Sequence, residues 1–178
     1  MTTADSSAAH PPELAQLVRD AAADITRIRT GPPVLVQLAH AFNGFFVARA
    51  VSAMLDAEST PGRDAYPLTV DWCTEALETI YDIVGTALIR RHCSLHKGGK
   101  KAVEELTVAA QFELAASTDS DIARIANEMI SLAAGLEHLL TSIAQDESAL
   151  PEPRAAARAT AWTAHNIWSH YGGDGGGW

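Results

Sequence analysis

The longest apolar stretch of the chain, residues 33–56 (PVLVQLAHAFNGFFVARAVSAMLD), does not keep its apolar residues to one face. Val34, Leu35, Val36, Leu38, Phe42, Phe45, Phe46, Val47, Val51, Met54 and Leu55 cover most of a helical circumference. A helix that is apolar all round is enclosed by neighbours on every side, so the pattern predicts a central helix over about 33–56. Its β-branched start, PVLVQ, also suits a short strand. Around it the apolar residues recur at three and four, which predicts further helices. One opens at Pro11-Pro12 and carries Leu14, Leu17, Ala21, Ile25 and Ile28. A third runs from about Leu68 to His92 with Val70, Cys73, Leu77, Ile80, Val84, Ala87 and Leu88. A short fourth spans about 102–117. A fifth, about 121–145, has the cleanest heptad seam: Ile122, Ile125, Met129, Leu132, Leu136, Leu139 and Ile143. A last helix, about 152–171, carries Trp162, Ile167 and Trp168.

No stretch alternates apolar and polar residues over a strand length, and no glycine-rich phosphate loop follows a strand. The expected fold is therefore an all-α, single-domain bundle of five to six helices around the apolar helix 33–56. The bundle should occupy residues 11–171. Residues 1–10, small and polar, read as a disordered tail, and residues 172–178 as a flexible glycine-rich one.

Composition narrows the function. A chain of 178 residues, 47% apolar, can build one core without staples. Its formal net charge of −9 argues against a general binder of nucleic acid or anionic membrane, because phosphate binding needs cationic density. Cys73 and Cys93 form no CxxC pair, which points to a reduced, cytoplasmic setting. The N-terminus lacks the basic-then-apolar pattern of a signal peptide. Residues 34–55 are long enough to span a bilayer, but Gln37, His40, Asn43 and Arg49 oppose it, a central arginine alone costing about 3 kcal/mol.

The polar exceptions in the central helix are the first candidate site. Gln37, His40 and Asn43 step by three along one line. Such a line either satisfies itself as a buried network or edges a pocket in which a few polar groups orient a small ligand. In the pocket reading His40 is the catalytic centre and Gln37 and Asn43 bind the ligand. Glu128, Ser131 and His138 of the fifth helix would face them, and Trp72 or Trp162 would supply a wall.

The second candidate is the basic run Arg90-Arg91-His92-Cys93-Ser94-Leu95-His96-Lys97-Gly98-Gly99-Lys100-Lys101, with five of the 13 Lys and Arg residues. Cations at a helix C-terminus complement its dipole. They also make an anion site, here Arg90, Arg91, Lys97, Lys100 and Lys101. Within the run, Arg91-His92-x3-His96 resembles the catalytic motif of the HEPN ribonucleases, which are small all-α bundles that cleave RNA without metal. That resemblance implies that Arg91 stabilises phosphoryl charge, that His96 acts in acid–base catalysis, and that His92 is the polar companion. Arg158-x6-His165 repeats the same type of spacing. His92 and His96 are also i, i+4, a metal-pair spacing. No second ligand cluster matches it, so neither a metal nor another cofactor is expected.

Three functions follow in order. The first is a protein that binds or processes a small molecule beside the central helix. The second is a metal-independent HEPN-like ribonuclease, the one reading with a nucleic-acid partner. The third is a non-enzymatic helical protein whose 122–143 seam makes a homodimer or binds another chain.

Overall fold

The computed structural model describes residues 14–58, 65–93 and 119–173. Six helices and no strand occur among them: α1 (Leu14–Ile28), α2 (Val34–Glu58), α3 (Ala65–Val84), α4 (Thr86–His92), α5 (Asp119–Gln145) and α6 (Pro151–His170). The expected all-α bundle is present. The helix expected over 102–117 lies outside the described residues, as do the 1–10 tail and all but the start of the glycine-rich one.

α2 packs against all five other helices, as its apolar circumference requires. Val34–Asp56 is long and apolar enough to cross a membrane; in this fold it is the central helix. Leu38, Ala39, Ala41, Phe45, Val47, Ala48 and Val51 are fully buried. The PVLVQ start is helical because the Pro33 carbonyl accepts from the Val36 and Gln37 amides at 2.8 and 3.1 Å, closing the first turn.

The remaining helices follow one another around α2. α1 touches α5, α5 touches α6, α6 touches α3, and α3 touches α4. Among the described residues this ring is left open between α4 and α1. The heptad seam of α5 is spent inside the subunit: Ile125, Met129, Leu132, Leu136, Leu139 and Ile143 are buried against α1, α2 and α6. The buried face of α6, which packs on α5, α3 and α2, is built mainly of small residues, Ala156, Ala157, Thr160, Thr163 and Ala164, with Ile167. Trp162, named from the sequence with Ile167 and Trp168 on this helix and as a possible pocket wall, is 61% exposed. At the end of α6 the buried Tyr171 hydroxyl shares a 2.8 Å hydrogen bond with Ser52 of α2, so neither polar group is orphaned by burial.

Two glycines shape the core for different reasons. At Gly44, midway along α2, an added Cβ would lie 2.9 Å from a methyl of Leu136; the missing side chain lets α5 approach. At Gly85 the backbone has φ 75° and ψ 161°, a region open essentially to glycine alone, and a Cβ there would meet no other atom. Gly85 breaks the helix expected over 68–92 into α3 and α4. The break re-phases the buried face, so Ala87, expected in the stripe, is exposed, and Ile89 is buried in its place.

The two glycines should therefore respond differently to alanine, as read by denaturant midpoints. Gly44→Ala gains about 1 kcal/mol of helix propensity and loses about 1–3 kcal/mol to overpacking, for a net destabilisation. In a Leu136→Val background most of that loss disappears. Gly85→Ala costs about 1–3 kcal/mol from backbone strain alone, and no truncation of a neighbour relieves it.

Candidate functional site

Among the described residues, α1, α2 and α4 line a cleft of about 420 Å³. α2 contributes His40, Asn43 and Val47. These positions share one face because steps of three and four residues nearly complete a helical turn. α1 contributes Leu17, Asp20, Ala21, Asp24 and Arg27, spaced so that a polar edge runs beside the apolar stripe. α4 ends the wall with Arg91 and His92.

The centre of the cleft is an Asp–His pair. His40 Nδ1 and Asp24 Oδ2 are 2.5 Å apart, and Arg27 bonds the other Asp24 oxygen. Burial acts to raise the Asp24 carboxyl. The hydrogen bonds from Arg27 and His40, with the charge beside it, outweigh burial and hold the group below the usual carboxylate range. An ionised Asp24 accepts the Nδ1–H of His40, which leaves Nε2 as the basic ring nitrogen. The His92 ring lies beside that of His40, centroids 4.9 Å apart and planes tilted by 51°.

Asn43 is 9% exposed, and its Oδ1 is buried with no hydrogen-bond partner. Such an orphan costs about 1–3 kcal/mol of desolvation. Asp20 accepts from Gln16 Nε2 at 2.7 Å. Arg91 is exposed on the wall and pairs with no carboxylate among the described residues.

Residues singled out from the sequence thus divide. His40, Asn43, Arg91 and His92, drawn from two separate readings, meet in one cleft. Gln37 does not join them. Each step of three falls about 60° short of a full turn, so Gln37 rotates away and donates to the Pro32 carbonyl at 3.1 Å. Glu128 is held by Arg19 of α1 at 2.6 Å. Trp72 packs edge-on with Trp162 and His170, centroids 6.4 and 4.9 Å away. His138 lines a different groove, about 650 Å³, between α5 and α6 with Glu137, His165 and Trp168. Arg90 is exposed near the end of α4. His96, Lys97, Lys100 and Lys101 lie outside the described residues. Among the described residues no three His, Cys, Asp or Glu side chains are grouped to hold a metal ion.

Asp20, Asp24 and Arg27 were not singled out from the sequence. Their signal was present: i, i+4, i+7 spacing on one edge of α1, flanking its apolar stripe. Cys73, by contrast, is simply a core thiol. Burial pushes it up to about 12, which leaves it protonated and unreactive at neutral pH.

Comparison with protein families, characterised proteins and solved structures returned no match for this chain.

Two stability measurements follow from this geometry. Asn43→Leu removes the orphaned carbonyl at similar volume and should raise stability by about 1 kcal/mol. An unchanged or lower denaturation midpoint would show that Oδ1 is already satisfied. For Asp24, a folded-state pKa below the unfolded value stabilises the protein above the ordinary carboxylate range, and that stability is lost as pH falls through the depressed value. The stability gap between wild type and Asp24→Asn should be full above about pH 5 and close progressively as pH drops below about 4.

Proposed function

We propose that the cleft binds and processes a small molecule, with His40 as its acid–base group, Asp24 as the residue that orients it, and Asn43 as a ligand-binding group. The observation that carries this reading is the Asp24–His40 pair at 2.5 Å, among the residues lining a cleft whose floor is an apolar helix. An imidazole moves protons near neutral pH when its tautomer and orientation are fixed, which a carboxylate on Nδ1 accomplishes. The apolar wall formed by Leu17, Ala21 and Val47 would shelter a carbon skeleton, while the polar groups fix its orientation.

Nitrogen NMR of His40 and native mass spectrometry test the two halves of this reading. The expected results are an Nδ1–H tautomer, lost in Asp24→Asn, and a retained non-metal mass whose occupancy falls in His40→Ala. A wild-type His40 carrying its proton on Nε2 would overturn the acid–base assignment. A protein that purifies with no retained mass, or with equal occupancy in the variant, would count against binding.

A second reading draws support from one specific placement. Arg91 and His92, the first two residues of the HEPN-like motif, stand beside His40. A guanidinium and two imidazoles in one cleft are the groups that metal-free RNA cleavage uses. RNA incubated with the protein in chelator should then be cut, and His96→Ala should abolish cutting. Intact RNA with wild type, or equal cutting by the variant, overturns the ribonuclease.

A further inference from the structure

Asp24 is held at both of its oxygens. His40 Nδ1 meets Oδ2 at 2.5 Å, and Arg27, about one turn later on the same helix, donates to Oδ1. A carboxylate with a single partner turns about its last bond, because that torsion is broad and two-fold. A partner on each oxygen fixes the carboxylate plane. The plane then decides which imidazole nitrogen carries the proton, since an ionised carboxylate only accepts and the nitrogen facing it has to donate. The three side chains form a series running outward to solvent: His40 is 12% exposed, Asp24 22% and Arg27 76%. The imidazole is thus set by a partly buried carboxylate, and the carboxylate is itself held from the solvent side.

We infer that Arg27 is a positioning residue for this site: by holding Asp24 Oδ1 it keeps Oδ2 on His40 Nδ1, and so selects the tautomer that leaves Nε2 basic. This rests on the reading of His40 as the acid–base group and extends it from a pair to a chain of three. The i, i+3 spacing on α1 puts Arg27 beside Asp24. Against burial, which acts to raise the Asp24 carboxyl, the Arg27 hydrogen bond is the leading influence that holds it down. The other charged or titratable groups lining the cleft do not take this place. Asp20, one turn before Asp24, has the wrong sign and accepts from Gln16 at 2.7 Å. His92 meets His40 ring to ring, and Arg91 on the same wall makes no ion pair with Asp24.

Nitrogen NMR of the ligand-free protein tests this with Arg27→Met, which keeps the stem and removes the donors, and Arg27→Lys, which keeps a donor cation. Arg27 is exposed, so neither change touches the core. With the imidazole neutral, the ratio of Nδ1–H to Nε2–H at His40 should fall about threefold in Arg27→Met, the size of effect an exposed ion pair contributes. It should return toward the wild-type ratio in Arg27→Lys. The Asp24 carboxyl should titrate at higher pH in Arg27→Met than in wild type. His138 and His165, in the groove between α5 and α6, should keep their wild-type signals, which separates a lost clamp from a loosened fold. An unchanged His40 ratio in Arg27→Met, no recovery in Arg27→Lys, or equal changes at His138 and His165 would overturn the inference. A wild-type Nδ1–H tautomer that ignores Arg27 removes the positioning role alone, whereas a wild-type His40 with its proton on Nε2 removes the acid–base reading with it.

Discussion

A helix with no polar face has to be enclosed, and the enclosure of α2 governs the rest of the molecule. Each buried aliphatic or aromatic side chain of α2 contributes about 1.5–3 kcal/mol relative to exposure, and the helix carries them on every side. Four long helices cannot leave such a rod half covered without exposing a large apolar surface. The ring of α1, α5, α6 and α3 follows from that, with small residues on α6 and Gly44 on α2 permitting close approach. The same constraint makes the polar residues of α2 costly wherever the ring is closed. Among the described residues, His40 and Asn43 sit where it is open, on the side of the central helix between α4 and α1.

The cleft then depends on register. The short connection between α1 and α2 lets Asp24 reach His40, and that one bond aligns the whole polar edge of α1 with the polar line of α2. Arg27 completes the arrangement by balancing the Asp24 charge, since a partly buried carboxylate is tolerated when it is paired and hydrogen-bonded. On the third side Gly85 acts through backbone geometry. Without the break it makes, one continuous helix would carry Arg91 and His92 along the line of α3. With it, α4 turns onto α2, Ile89 is buried, and the two basic side chains come to the cleft wall.

Most of the fold was legible in the pattern of apolar residues, because burial has a period and the period is written in residue type. The all-round apolarity of 33–56 told that it would be central, and the seams of α1 and α5 told which faces would be covered. The break at Gly85 was not legible. A lone glycine within a helical pattern is compatible with a continuous helix, and only the backbone dihedral separates the two cases. The exposure of Trp162 was hidden for another reason: in α6 the burying face is built from alanine and threonine, whose weak apolar signal is overshadowed by a tryptophan on the outside. Of the candidate site, His40, Asn43, Arg91 and His92 could be named from sequence because each was an anomaly in its surroundings. Their meeting could not be foreseen, since it depends on how α4 is turned. Asp20, Asp24 and Arg27 were obscured by being ordinary, as charged residues on an outer helix usually face water.

What distinguishes this cleft from a surface recess is the way its groups are held. Its floor is the most enclosed helix of the molecule, and residues flanking His40 and Asn43, among them Ala39, Ala41 and Phe45, are locked in the core. Side chains carried on such a helix keep their positions better than side chains on loops. That rigidity applies equally to the orphaned carbonyl of Asn43, which cannot relax toward water as a surface amide would. The cost of leaving it unpaired is therefore retained in the folded protein. The Asp24–Arg27 pair beside it carries no net charge, which leaves Asp20 and Arg91 as the other formally charged side chains among those described along the cleft. His40 stands on that rigid floor, and the Asp24 carboxylate fixes the orientation of its ring.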